Sequence, residues 1–128
     1  MPESILLDDL DIYRLANEVG DDIWKLVEQW SYFPRKTIGS QFGETGDSIA
    51  ANIAEGYGRF FYKDRRVFCY YARGFMMETR TWAMKSLQRK LMSNQEYENL
   101  LEKLKKLHYK LNIYIKKLKI NISTGKEH

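Results

Sequence analysis

Residues 93–122 read SNQEYENLLEKLKKLHYKLNIYIKKLKINI, and their spacing decides the fold. Tyr97, Leu101, Leu104, His108, Leu111, Ile115, Leu118 and Ile122 alternate by four and three. That rhythm keeps apolar side chains on one stripe of an α-helix. Leu100, Leu107 and Tyr114 widen the stripe to the breadth of a globular bundle face. Ser93 or Asn94 can cap the helix, with Glu96 in its first turn. Lys103, Lys106, Lys110 and Lys117 line another face, while Lys105, Lys116 and Lys119 add charge toward the end where the helix dipole favours it. A helix over 94–121 follows, with the tail 123–128 fraying.

Working outward, three more periodic runs precede it. In the run 9–31, Ile12, Ala16, Val19, Ile23, Leu26 and Trp30 form one stripe, interrupted by Gly20. Pro34 then bars the preceding residue from helical geometry and can open the next helix. The run 36–55 carries Ile38, Phe42, Ile49 and Ile53, flanked by the small residues Gly39, Gly43, Gly46, Ala50 and Ala54. Three glycines lower intrinsic helicity, so this helix needs covering neighbours, which small side chains let approach closely. The run 63–91 places Phe68, Tyr71, Phe75 and Trp82 on one face, and Glu78 falls on that stripe. A carboxylate there must reach solvent, find a partner such as Arg59 or Arg73, or take up a proton. Four helices with short connections and no strand pattern make a single all-α domain over 1–128, an antiparallel up-down-up-down four-helix bundle.

Composition agrees. The 128 residues suffice for one core, and the two prolines come with no Asn-Gly or Asp-Gly hairpin signal. A single cysteine, Cys69, rules out an internal disulfide and a multi-cysteine metal site. No apolar run reaches membrane-span length, and MPESILLDDLD lacks the basic start of a secretion signal. A cytoplasmic protein with no membrane partner is expected. Charge is unevenly spread: residues 1–34 hold eight acids against Arg14 and Lys25, a net of −6, which leaves +10 on the rest of a chain whose total is +4. Such polarity either guides head-to-tail association and attracts phosphate, or is neutralised internally by an acidic helix lying beside basic ones.

Chemistry is sparse. In NIAEGYGRFFYKD, residues 52–64, the Gly-x-Gly spacing follows a helix rather than a strand, and neither phosphate-loop pattern is complete. Gly56 fits a helix C-cap and Gly58 a turn, so the loop reads as a corner between helices. No Glu stands three residues before His108, so a dimetal bundle site is not expected. Cys69 lies among aromatics near Arg65, Arg66 and Arg73, without a histidine on its stripe, and reads as structural. No catalytic residue, cofactor or metal is expected. Nucleic-acid binding is the more credible activity: Arg59, Lys63, Arg65 and Arg66 cluster beside Phe60, Phe61 and Tyr62, cations for phosphate next to rings that can stack on bases. Lys103, Lys106, Lys110 and Lys117 can extend that patch, or simply be solvated.

Two stretches, NIAEGYGR at 52–59 and FCYYARGFMMETRTW at 68–82, resemble the family of four-helix-bundle proteins encoded in 23S rRNA intervening sequences. Asn52, Glu55, Gly56, Gly58 and Arg59 match the first motif of that family, and Arg73, Gly74 and Glu78 the second, with Phe75 where a serine is usual. The resemblance implies a bundle without enzymatic activity and a ring-shaped homopentamer. The related accessory proteins of diversity-generating retroelements form such rings and bind RNA or DNA and a reverse transcriptase, which makes these the partners to expect. It also suggests that Glu55, Arg59, Arg73 and Glu78 form a charge cluster where the second and third helices meet. The rival expectation is a protein-interaction scaffold with no nucleic-acid role.

Overall fold

A computed structural model describes residues 6–125, so Glu3, His128 and the end of the tail lie outside the described residues. Those residues form a bundle of four long helices. After a 3-10 turn at Leu7–Asp9 come α1 (Asp11–Val27), a short α2 (Tyr32–Lys36), α3 (Ile38–Tyr57), α4 (Tyr62–Gln88) and α5 (Asn94–Ser123). Successive long helices run up and down, and neighbours in space follow the ring α1, α3, α4, α5 and back to α1. Among the described residues there is no strand.

α1 buries Ile12, Leu15, Ala16, Val19 and Ile23 on its apolar stripe. It stops at Val27, short of the expected 31, and Trp30 turns back beyond its end to stack on Phe42 at 6.3 Å between ring centroids. Pro34 occupies the first turn of α2, where the missing N–H has no intrahelical acceptor to lose. Thr37 closes that helix, its Oγ1 donating to the Phe33 carbonyl at 2.7 Å, and α3 starts directly after it.

α3 owes its place to close approaches at its glycines, among them Gly46 and Gly56. A Cβ on Gly46 would lie 2.6 Å from Ile23 Cδ1 of α1. One on Gly56 would lie 2.9 Å from Phe68 Cβ and 3.1 Å from the Arg65 carbonyl of α4. Gly56 is therefore a packing glycine buried inside the helix rather than its C-cap. The cap is Gly58, in ordinary right-handed geometry at φ −77°.

α4 departs most from the sequence pattern. Its buried face is Cys69, Ala72, Met76, Thr79, Ala83 and Ser86, rotated by one residue from the aromatic stripe. Small residues at the contact let the neighbouring helices come close, while Phe68, Phe75 and Trp82 pack on the shoulders. Thr79 and Ser86 satisfy their buried hydroxyls on their own helix, donating to the Phe75 and Trp82 carbonyls, each at 2.7 Å. Glu78 is thereby exposed, not buried. α5 opens with a capping box: Glu96 N–H donates to Ser93 Oγ at 3.1 Å, and Ser93 N–H to Glu96 Oε1 at 2.8 Å. It buries Leu100, Leu104, Leu107, Leu111, Ile115 and Leu118, and His108 sits half-buried beside that seam rather than in it.

Candidate nucleic-acid interface

The corner between α3 and α4 gathers four of the eight candidate cations, in two different roles. Arg59 pairs with Glu55 one turn earlier, Nη2 to Oε2 at 2.7 Å, and lays its guanidinium 4.7 Å from the centroid of the Phe68 ring. Arg65 donates from Nε to the Arg59 carbonyl at 2.8 Å and stacks over Tyr57 and Tyr62, at 5.7 and 5.3 Å. These two arginines tie the corner together through hydrogen bonds and ring faces. Lys63 is exposed, and Arg66 is half-buried with a buried Nε that has no hydrogen-bond partner. Phe60 and Phe61 meet edge to face at 5.0 Å and stand 65% and 46% exposed beside them.

α5 meets this corner through its C-terminal half. Arg73 Nη1 donates to Asn112 Oδ1 at 2.8 Å, and Tyr114 lies beside Arg65, its hydroxyl pushed up to about 12 chiefly by burial. Antiparallel register then carries exposed Lys117 past Tyr114 toward the corner end of the bundle. Lys103 and Lys110 go elsewhere. Lys103 Nζ lies 2.7 Å from Asp22 Oδ2 and 3.5 Å from Glu18 Oε1, and Lys110 Nζ lies 2.8 Å from Asp11 Oδ2. The hydrogen bond to Asp22 raises the Lys103 pKa, and the hydrogen bond from Lys110 lowers that of Asp11. Half of the lysine face is thus neutralised by the acidic first helix, and Lys106 remains exposed between the two pairs.

The motif residues do not close into one charge cluster. Glu55 meets Arg59, but Arg73 turns to Asn112 and stacks on Tyr70 at 5.1 Å. Among the described residues, no ion pair or hydrogen bond reaches Glu78, which stands in solvent because the α4 core face is rotated away from it. Asn52 Nδ2 caps the Ser48 carbonyl at 2.8 Å, and Gly74 faces open space. Cys69 is 3% exposed, and burial pushes its thiol up to about 12, so almost no thiolate exists at neutral pH. Among the described residues, no three His, Cys, Asp or Glu side chains gather to hold a metal, and no helix is long and apolar enough to cross a membrane.

One feature escaped the sequence reading: a groove of about 320 Å³ between α1 and α3, with Trp24, Glu28, Gly43, Glu44 and Asp47 among its lining. Trp24 lies one position off the α1 stripe, and Tyr32-Phe33 before the proline is a pair of rings with no stripe to join; those were the available signals.

The family model for 23S rRNA-intervening sequence proteins matches residues 8–113. The chain belongs to this family. A crystal structure of a protein of unknown function from the S23 ribosomal protein family of Bacteroides thetaiotaomicron superposes with a TM-score of 0.72 at 21% identity, covering 82% of this chain and 98% of that one. At that identity the likeness speaks for the fold. No curated protein matches the chain. Nothing in the family description or the neighbouring structure indicates a catalytic family, so this 23S rRNA-intervening sequence protein stands as a small helical bundle whose role must be argued from its surface.

Proposed function

We propose that this protein is a non-catalytic, self-associating helical bundle that binds nucleic acid through the basic end of the α3–α4 corner. The observation that carries the reading is the contrast among its cations: Lys103 and Lys110 are neutralised by α1, whereas among the described residues Lys63, Arg66 and Lys117 have no carboxylate partner, and Lys63 and Arg66 closely follow the exposed rings of Phe60 and Phe61 along the chain. Unpaired cations attract phosphate, and exposed rings accept a base face. Arg59 and Arg65 serve this surface indirectly, by holding the corner rigid.

Self-association is supported by large apolar side chains left in solvent on both sides of the bundle, including Trp24, Phe33, Met77 and Met84. A ring of five is the assembly favoured by the family resemblance, and native mass spectrometry of the 15.3 kDa chain counts the subunits directly. Fluorescence anisotropy against a structured RNA and a duplex DNA tests the binding. Affinity should fall linearly in log salt, and the exposed double variant Lys63→Glu/Lys117→Glu should lose at least tenfold while folding normally. Arg65→Glu is a poorer control, since removing that guanidinium would disturb the corner itself. A protein-interaction scaffold is the second reading, favoured by the aromatic groove at Trp24; salt-independent silence toward both nucleic acids would select it.

A further inference from the structure

The α3–α4 corner is richer in exposed rings than in uncommitted charge. Residues 55–66 hold Arg59, Lys63, Arg65 and Arg66 against Glu55 and Asp64, a net of +2. Arg59 is held by Glu55, and Arg65 by the Arg59 carbonyl and two tyrosine rings. The pairing of Lys110 with Asp11 brings the start of α1, with exposed Asp8 and Asp9, to the same end of the bundle as exposed Lys116, Lys117 and Lys119 of α5. Acids and cations therefore share this end, and its net field is modest. Attraction to phosphate is the main term in binding a duplex without regard to sequence, and it is limited here by that balance.

Aromatic surface is not limited. Phe60 and Phe61 are exposed and cross edge to face with 86° between their planes, so their faces look in different directions. Tyr71, 53% exposed, joins the same surface through a chain of contacts: Arg59 lies over the Phe68 ring, and Phe68 meets Tyr71 edge to face at 5.4 Å. Tyr71 stands nine residues beyond Tyr62 at the start of α4, roughly 14 Å along the helix, so the rings are spread over the reach of a few nucleotides. A ring face stacks on a base face, and inside a duplex both faces of each base are already covered by its neighbours. Only an unpaired base offers a face without the cost of opening the helix.

We infer that the corner selects single-stranded nucleic acid over duplex, seating unpaired bases on Phe60, Phe61 and Tyr71 while Lys63 and Arg66 beside them meet the phosphates. The inference rests on the reading that the corner binds nucleic acid, and it names the form that is bound. Every base has a π face, so the selection is for strandedness and not for sequence. Ring stacking does not touch the ribose hydroxyl, so RNA and DNA strands of one sequence should bind about equally. Each stacked base is worth roughly fivefold to a hundredfold in affinity, enough to outweigh the few phosphate contacts available.

The test compares a short RNA strand, the same strand as DNA, and the RNA strand annealed to its complement, by fluorescence anisotropy at one salt concentration. A second copy of the RNA strand carries a fluorescent adenine analogue whose emission falls when it stacks on a ring. Wild type should bind both strands at least tenfold more tightly than the duplex and quench the analogue. Phe60→Leu/Phe61→Leu keeps apolar bulk but removes the π faces; it should lose roughly tenfold in strand affinity, leave duplex binding unchanged and quench less. Phe60→Trp/Phe61→Trp should bind the strand at least as tightly as wild type. Circular dichroism and native mass spectrometry should show both pairs with wild-type helix content and wild-type mass. No binding to any of the three ligands overturns this inference together with the reading it rests on. Duplex binding as tight as strand binding, a strong preference for the RNA strand over the DNA strand, or a leucine pair that binds and quenches like wild type overturns the strand selection alone. A leucine pair of altered mass makes the rings a subunit contact and overturns it as well.

Discussion

The α1–α5 seam and the α3–α4 corner both contain cations, and they use them in opposite ways. Along the seam, Lys103 and Lys110 meet Asp22 and Asp11 across two helices, in pairs still open to water. At the corner, Arg59 and Arg65 lie on ring faces, Arg65 donates to the Arg59 carbonyl, and among the described residues Glu55 is their one acidic partner. Exposed lysine pairs of the first kind contribute little stability and cancel the local field. Guanidinium stacking of the second kind fixes geometry without cancelling the field, because a ring face carries no net charge. Arg65 therefore keeps its charge while holding the corner in place, whereas that of Arg59 is offset by Glu55.

The largest break in this comparison comes from the close approach beneath the corner. Gly56→Val must push apart Phe68 and the Arg65 carbonyl, since even a Cβ would sit 2.9 and 3.1 Å from them. Such overpacking costs about 2–3 kcal/mol, read as a fall in urea midpoint. Arg65→Ala comes next: losing its stacking on Tyr57 and Tyr62 and its bond to the Arg59 carbonyl should cost about 1–2 kcal/mol. The seam should hardly respond. A double-mutant cycle on Asp22→Asn and Lys103→Met should return a coupling of about 0.5 kcal/mol that shrinks further with salt.

pH sharpens the same contrast. The Lys103 pKa is raised, so its pairing energy is fully present below the ordinary lysine value and is lost as pH climbs through the raised one. The Asp11 pKa is lowered, so its contribution is present above the ordinary aspartate value and disappears as pH falls through the lowered one. Between these limits the seam is silent, and the difference in stability between wild type and Asp11→Asn, followed by denaturant unfolding, should be flat across neutral pH and close below the ordinary carboxylate range.

Much of the bundle was legible because α5 announces itself: its leucines are large, apolar and strictly spaced, and Ser93 with Glu96 gives a complete cap. α4 was misread by one residue because its core face is built from Ala72, Thr79, Ala83 and Ser86, which carry almost no hydrophobic signal, while its large rings sit on the shoulders. Gly56 looked like a cap because a chain ending and a chain packed tightly against another both select glycine, and only the neighbour distinguishes them. The division of the lysine face needed to know which helix lies beside α5. The acids of α1 supplied the charge for it, but the sequence alone left internal neutralisation and an outward field equally open.

The central claim is that free cations at the corner, not the total charge of the chain, bind nucleic acid. The most direct test compares the salt dependence of RNA binding for the wild type, Lys63→Glu/Lys117→Glu, and the seam variant Asp11→Asn/Asp22→Asn, which frees Lys110 and Lys103. The account expects the corner variant to lose binding and to flatten the slope of log affinity against log salt, each lost phosphate contact removing about 0.7–0.9 from it. The seam variant should bind at least as tightly as wild type, with an equal or steeper slope. Undiminished binding in the corner variant, at the same slope as wild type, would contradict it.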